Sequence, residues 1–338
     1  MIFITGGTGL VGSHLLFELV SKGNKIRALK RETGNIDKVK HVFSYYSEEP
    51  DALLSKIEWV TGDIFDYDSI EENIDEVDEI YHIAALVSYD PKENELVKKN
   101  ILGTQNMINV ALEKGVNKFC YVSSIASLGE PLNGDKIDEN CNWNPKVKKT
   151  AYAYSKHYSE MEVWRGAAEG LNVVIVNPSI ILGSGFWNTG SSTFFSTIYK
   201  GLNFYPQGIN GFIDVRDLVK IMVELMEKKI FNERFIINSE NYSYKELLHL
   251  IAKGLNVKVP NIKATDFMLA VSWRFAKLFS IITGNSTILT KESVKYANSE
   301  SFYSNEKIVQ VLDYHFKTVE ESVRENCKLF LEDVIRSC

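Results

Sequence analysis

In the stretch TAYAYSKHYSEMEVW, Thr150–Trp164, a tyrosine and a lysine stand four residues apart, Tyr152 and Lys156. On a helix that spacing puts both side chains on one face, about one turn apart. An ammonium beside a phenol favours the phenolate and draws its pKa down from about 10 toward the working range. Tyr152 can then act as a general acid toward a carbonyl oxygen or a general base toward an alcohol. Tyr154 and Tyr158 have no lysine four residues downstream, so the pattern singles out Tyr152. A bare Y-x-x-x-K also describes an ordinary exposed helical pair, and its surroundings must decide. About thirty residues upstream an apolar run ends YVSSIASLG, which puts Ser123 and Ser124 at the carboxyl end of an expected strand. A serine hydroxyl there can donate to a substrate oxygen and steady a developing oxyanion.

Groups so far apart in sequence meet only on a rigid frame. MIFIT, KIRAL, IEWVTG, EIYHIAA, KFCYVSS and NVVIVNP read as six strands. Leu10–Ser21, Ser69–Ile74, Asn94–Lys114 and Tyr152–Glu169 read as helices between them. Such alternation, with nearly continuous apolar strands, predicts an α/β protein with a doubly wound parallel sheet buried on both faces. Gly34–Lys56 is a polar, partly helical extension after the second strand, with no functional reading of its own. Beyond about Pro178 the alternation loosens, and Asn241–Leu255 predicts an amphipathic helix.

The first strand runs into IFITGGTGLVGSHL, whose glycines fit two registers. From Gly7 they spell G-x-G-x-x-G; from Gly6, G-x-x-G-x-x-G. A glycine turn between a strand and a helix gives a tight turn and close backbone approach to a pyrophosphate. The first helical turn, Leu10, Val11 and Gly12, then offers free N–H groups and a positive dipole end. The expected ligand is a dinucleotide. At the end of the second strand, IRALKRE, the Arg31 guanidinium can pair with a 2′-phosphate, which favours NADP. Glu32, one position on, can accept from a ribose hydroxyl and keeps NAD as the alternative. Residues 1–178 therefore read as a Rossmann-type dinucleotide-binding domain. Residues 179–338 read as a smaller, mostly helical substrate-binding region, with some segments returning to the core.

This combination resembles the extended short-chain dehydrogenase/reductase superfamily, also called the NAD-dependent epimerase/dehydratase family, and the resemblance covers nearly the whole chain. Within it the chain is most similar to the branch of dihydroflavonol reductases and 3β-hydroxysteroid dehydrogenases. TGGTGLVG matches the family's T-G-x-x-G-x-x-G, so the resemblance selects Gly6, Gly9 and Gly12 and leaves Gly7 incidental. GDIFD puts Asp63 and Ile64 at the adenine, and YHIAALVS puts Ala84 and Ala85 along the cofactor. NILGTQN places Asn100 and Gly103 on the next helix, with Asn100 as a support. NPSIILGSG and GFIDVRDLV match later family segments, and Pro178 lies beside the nicotinamide. Arg31 falls at the basic position seen in NADP-using members. The implied reaction is a hydride transfer in which Tyr152 moves the proton, Ser124 orients the substrate oxygen, and Lys156 holds the ribose and tunes the tyrosine.

Family dehydratases carry an Asp-Glu pair beside a threonine at the serine position. Here Ile125 and Ala126 follow Ser124, which counts against dehydration. A nucleotide-sugar epimerase remains the alternative to a simple oxidoreductase, and its diphosphate would call for cations such as Arg234, Arg274 or Arg324. Phe267–Ile282 reads as an amphipathic helix that suits core packing, a hydrophobic substrate or a membrane-surface dock, and Phe186, Trp187 and Tyr205 are further candidates for an apolar pocket. A non-catalytic redox sensor is a third reading, which the full Ser124, Tyr152 and Lys156 set argues against. The net charge of −6 disfavours nucleic acid. Cys120, Cys141, Cys327 and Cys338 lack metal spacing and fit a reduced, cytoplasmic protein. Neither a signal peptide nor a transmembrane segment is expected. The expected partner is a small-molecule substrate, and family habit implies a homodimer.

Overall fold

The computed structural model describes residues 1–86, 93–131, 136–265 and 298–336, together with Met268. The six apolar runs form β1 (Ile2–Thr5), β2 (Ile26–Lys30), β3 (Ile57–Thr61), β4 (Glu79–His82), β5 (Lys118–Val122) and β6 (Asn172–Pro178). Between them lie α1 (Leu10–Ser21), α2 (Ile36–Phe43), α3 (Pro50–Leu54), α4 (Tyr67–Glu71), α5 (Glu93–Glu113) and α6 (Ala151–Ala168). Next come β7 (Ile180–Leu182), α7 (Thr193–Tyr199), β8 (Phe204–Tyr205), β9 (Ile209–Asp214), α8 (Val215–Glu227), β10 (Glu233–Ile237), β11 (Glu240–Ser243), α9 (Tyr244–Gly254) and β12 (Ile262–Lys263). Helices Glu306–Leu312 and Val319–Arg336 follow.

The central sheet is parallel throughout, in the order β10-β6-β5-β4-β1-β2-β3. Its strands are apolar on both faces because both are covered. Ile2 and Ile4 turn to one layer with Leu15, Leu19 and the α8 residues Leu218 and Met222. Phe3 turns to the other, with Met107, Ile108 and Val163 of α5 and α6. This Rossmann sheet takes its seventh strand from far along the chain, β10 pairing beside β6 from Glu233↔Val174 to Ile237↔Pro178. A third cluster, with Leu182, Phe195, Phe212, Ile251 and Phe330, unites β7, β9, α7, α9 and the C-terminal helix.

Two boundaries differ from expectation. The Asn241–Leu255 helix starts only at Tyr244, because β11 pairs antiparallel with β9 up to Ser243. Ser243 then caps the helix by accepting from Glu246 N at 3.1 Å, an S-x-x-E capping box that marks the start. The Ser69–Ile74 helix is shifted to Tyr67–Glu71, and the chain leaves it through Glu76 at a positive φ of 62°. The Gly34–Lys56 extension is helical, as α2 and α3. Apart from Met268, the Phe267–Ile282 segment lies outside the described residues, as does Cys338. Cys120, Cys141 and Cys327 are buried free thiols. Among the described residues no helix is long and apolar enough to cross a membrane.

Candidate active site

The carboxyl ends of β1, β2, β4, β5 and β6 open into one cleft of about 740 Å³. It lies where the strand order reverses between β1 and β4, the crevice in which open α/β sheets place ligands. Gly6, Gly9, Leu10, Val11, Gly12, Arg31, Asp63, Ile64, Ala84, Ala85, Ser124, Tyr152, Lys156 and Pro178 all line it.

The glycine turn divides by physical cause. Gly6 has φ +76°, and a Cβ there would lie 2.7 Å from Ala84 N. A Cβ on Gly12 would lie 2.1 Å from Gly6 O. Both glycines are required by the chain's own packing. A Cβ on Gly9 would meet only Gly6 O, at an ordinary 3.4 Å. Nothing inside the chain needs a glycine at position 9, and its open side belongs to the cleft. A Cβ on Gly7 would meet the flexible end of Leu16 at 3.0 Å, which leaves that glycine outside the turn's requirements. Gly9 starts α1 without a side-chain cap, so the first N–H groups of the helix stay available beside the cleft. A dinucleotide pyrophosphate fits this cradle.

Arg31 is exposed at one end of the cleft with Lys30 beside it, while Glu32 is exposed and not on its wall. Phe65 N donates to Asp63 Oδ1 at 3.1 Å, which orients that carboxylate. Thr5 Oγ1 and His82 Nδ1 are 2.8 Å apart, and His82 Nε2 lies 3.2 Å from Thr104 Oγ1. Burial draws His82 down to about 3 and keeps it neutral under the Ala84–Ala85 segment. Asn100 grips the Leu86 backbone twice, accepting from its N at 2.7 Å and donating to its O at 2.9 Å. That is the supporting role expected of it.

Ser123 and Ser124, alike in sequence, part company here. Ser123 also borders the cleft, but its hydroxyl donates to the buried Glu160 at 2.7 Å. Ser124 caps a 3-10 turn, Ile125–Ser127, its Oγ accepting from Ala126 N at 3.1 Å. Thr150 caps α6 by accepting from Ala153 N at 3.0 Å, so Tyr152 sits in the first turn at the cleft. Lys156, one turn deeper and 4% exposed, donates from Nζ to Val122 O at 2.8 Å. Burial draws its pKa from 10.5 down to about 8, opposed by the charge of Glu160.

Several expectations are corrected. Trp187 donates to Asp333 at 2.7 Å and packs on Phe195 and Phe330, away from the cleft. Phe186 is buried beneath Lys38, and Tyr205 stacks edge-on with His249. Arg234 is spent on Glu160 and the Glu139 carbonyl, and Arg324 is exposed elsewhere. Arg274 lies outside the described residues. Sequence reasoning missed the far wall, formed by Leu86, Ile125, Ile180, Ile181 and Phe194 with Ser191. Only tertiary structure brings these short segments together.

The chain matches the model of the NAD-dependent epimerase/dehydratase family over residues 2–237. It is 28% identical to a putative dihydroflavonol 4-reductase of Synechocystis sp., over 96% of this chain and 92% of that one. It is 30% identical to sterol demethylase protein B of Methylococcus capsulatus, over 72% and 71% respectively. Among solved structures, the Bordetella bronchiseptica enzyme WbmH in complex with NAD+ shares the fold, with a TM-score of 0.74 at 18% identity over 98% of both chains.

Proposed function

The chain belongs to the NAD-dependent epimerase/dehydratase family, and from that premise we propose an NAD(P)-dependent reductase or dehydrogenase of an apolar hydroxyl or carbonyl compound. One observation carries the reading. Ser124, Tyr152 and Lys156 converge on the same cleft as the glycine turn, with a desolvated lysine cation beneath the tyrosine's helical turn.

When bound, the nicotinamide supplies the carbon that gives or takes a hydride. Every other task falls to the chain. Gly9 and the first turn of α1 take the pyrophosphate, Asp63 and Ile64 the adenine, and Arg31 a 2′-phosphate. Ser124 Oγ, which accepts from Ala126 N, uses its own O–H to hold the substrate oxygen. In reduction, Tyr152 Oη gives its proton to that oxygen as it gains the carbonyl electron pair. In oxidation the proton returns to the phenolate. Lys156 uses its remaining N–H groups on the ribose, and its charge makes either state of Tyr152 accessible.

The far wall favours an uncharged substrate. Ser191 Oγ is turned back on Ile181 O, and Thr193 Oγ1 donates to Gly190 O at 2.7 Å. Among the described residues, the basic side chains lining the cleft are Lys30, Arg31 and Lys156. Among the described residues, a sugar diphosphate finds no cation there beyond those given to the cofactor. Leu102, Tyr158 and Met161, exposed apolar residues on α5 and α6, suit the homodimer we propose.

Incubating the purified protein with NADPH and a panel of aromatic and alicyclic ketones and aldehydes tests this reading, with absorbance at 340 nm as readout. Turnover of at least one compound is expected, with Tyr152→Phe at least about 100-fold slower and NADPH affinity within about twofold. Tightly held NAD+ recovered from the purified protein, with no NADPH turnover, would overturn it in favour of an epimerase.

A further inference from the structure

Behind the cleft lies a buried carboxylate that the hydride step does not touch. Glu160 stands one helical turn beyond Lys156 and is 2% exposed. Its Oε2 accepts from Ser123 Oγ at 2.7 Å, Ser127 Oγ at 2.8 Å and Asn177 Nδ2 at 3.0 Å. Its Oε1 accepts from Arg234 Nη1 at 3.0 Å. Two of these donors reach further. Ser127 Oγ also lies 2.8 Å from Ser124 O, and Asn177 Nδ2 lies 3.1 Å from the same carbonyl. Glu160 is thus tied at one remove to the backbone of Ser124, and it shares a helix face with Lys156.

We propose that Glu160 is a positioning residue. Through Ser127 and Asn177 it holds Ser124 in register, and across one turn of α6 its charge keeps the Lys156 ammonium protonated beside Tyr152. The proposal rests on the roles given above to Tyr152 and Lys156.

Four donors, one of them a guanidinium, converge on Glu160, and a neutral amide could accept from only one or two of them, so the network itself calls for a carboxylate. Its charge, costly to bury, also acts on the lysine one turn away. The groups around the lysine leave Glu160 as the anion acting on it. From β5, the Tyr121 ring lies 5.2 Å from Lys156 Nζ, and burial pushes its phenol well above the ordinary range. From β4, His82 is held neutral by burial. On α6, His157 is stacked on Trp143 at 4.1 Å and is lowered by burial. From β10, Arg234 is a cation and divides its hydrogen bonds between Glu160 and the Glu139 carbonyl. The Glu139 carboxylate caps Ile236 N at 2.7 Å, away from the lysine. Among the described residues, a desolvated lysine without Glu160 would face neutral groups and an arginine, and would give up its proton more readily.

The test reads the tyrosine directly and needs no substrate. Absorbance at 295 nm is titrated with pH, and the same titration of a matching Tyr152→Phe protein is subtracted, isolating the Tyr152 phenolate. Lys156→Met raises the Tyr152 midpoint, and Glu160→Gln raises it by about half a pH unit or more. Ser127→Ala, which loosens the same network but keeps the charge, leaves it in place. A midpoint unmoved by Glu160→Gln but moved by Lys156→Met overturns this proposal alone. A midpoint indifferent to Lys156→Met overturns the Tyr152–Lys156 reading on which it rests. An equal shift in Ser127→Ala and Glu160→Gln overturns it as well, because loosening would then suffice. Should Glu160→Gln fail to fold with Arg234 left unpaired, the Glu160→Gln/Arg234→Gln protein is compared with Arg234→Gln. A higher midpoint in the double variant supports the proposal, and equal midpoints overturn it.

Discussion

Adding one methyl group at Gly9 or at Gly12 separates packing from ligand recognition within a single turn. At Gly12 the new Cβ lies 2.1 Å from Gly6 O, and reaching the 3.4 Å of ordinary contact requires backbone to move by about 1.3 Å. Both sides of that contact are main chain, so no rotamer relieves it. Overpacking of this kind costs about 1–3 kcal/mol, here at the upper end, offset by about 1 kcal/mol from alanine's better helix propensity. The net of about 2 kcal/mol corresponds, for 338 residues, to a Tm lower by roughly 3 °C. At Gly9 the methyl meets only Gly6 O at 3.4 Å. The remaining cost is the poorer N-cap, a few tenths to about 1 kcal/mol, or roughly 1 °C. NADPH binding should reverse the ranking. Gly9→Ala fills the pyrophosphate cradle and removes at least one charge-assisted contact, about 1.5–3 kcal/mol, for roughly 10- to 100-fold weaker binding. Differential scanning fluorimetry and NADPH fluorescence titration on the two variants supply both measurements. Wild-type NADPH affinity in Gly9→Ala would refute the reasoning, as would a larger Tm loss there than in Gly12→Ala.

Three further outcomes are expected. Arg31→Ala should weaken NADPH about 5- to 20-fold and leave NADH unchanged, because an exposed guanidinium contributes about 1–2 kcal/mol to a phosphate contact; equal losses for both nucleotides, measured by fluorescence titration, would remove the 2′-phosphate role. Lys156 has a folded pKa of about 8 against an ordinary 10.5, so the unfolded chain binds more protons between those values and stability rises with pH across that window. Urea titrations at pH 7 and pH 10 should therefore show the stability of wild type gaining on that of Lys156→Met as pH rises, and a constant gap would contradict the buried-cation assignment. His82 has a folded pKa of about 3 against 6.5, so the native state loses stability as pH falls from 6.5 toward 3. Replacing His82 with Gln should flatten that part of the pH–Tm curve, and an unchanged curve would mean that the acid loss arises elsewhere.

The amino-acid sequence by itself determined the frame and named the candidate reacting groups. Strand and helix periods placed six of the seven central strands and α1, and the glycine turn stands between β1 and α1 as its spacing requires. Those features are local, because a β strand's two-residue period and a helix's four-residue face can be read within a dozen residues. Tertiary structure decided what is local in neither sense. What sets Ser123 apart from Ser124 in the structure is Glu160, 37 residues further along the chain on α6, which accepts from the Ser123 hydroxyl. Glu160 itself stands four residues beyond Lys156, the same spacing that revealed Tyr152, yet its partners lie just after β5, in the Ile125–Ser127 turn, on β6 and on β10, and meet only when the sheet closes. Likewise β10 joins β6, and Phe186, Trp187 and Tyr205 leave the cleft for other contacts, because a side chain's surroundings are set by which strands become neighbours. The sequence names groups able to do chemistry; the order of the strands settles which of them face the same few ångströms of space.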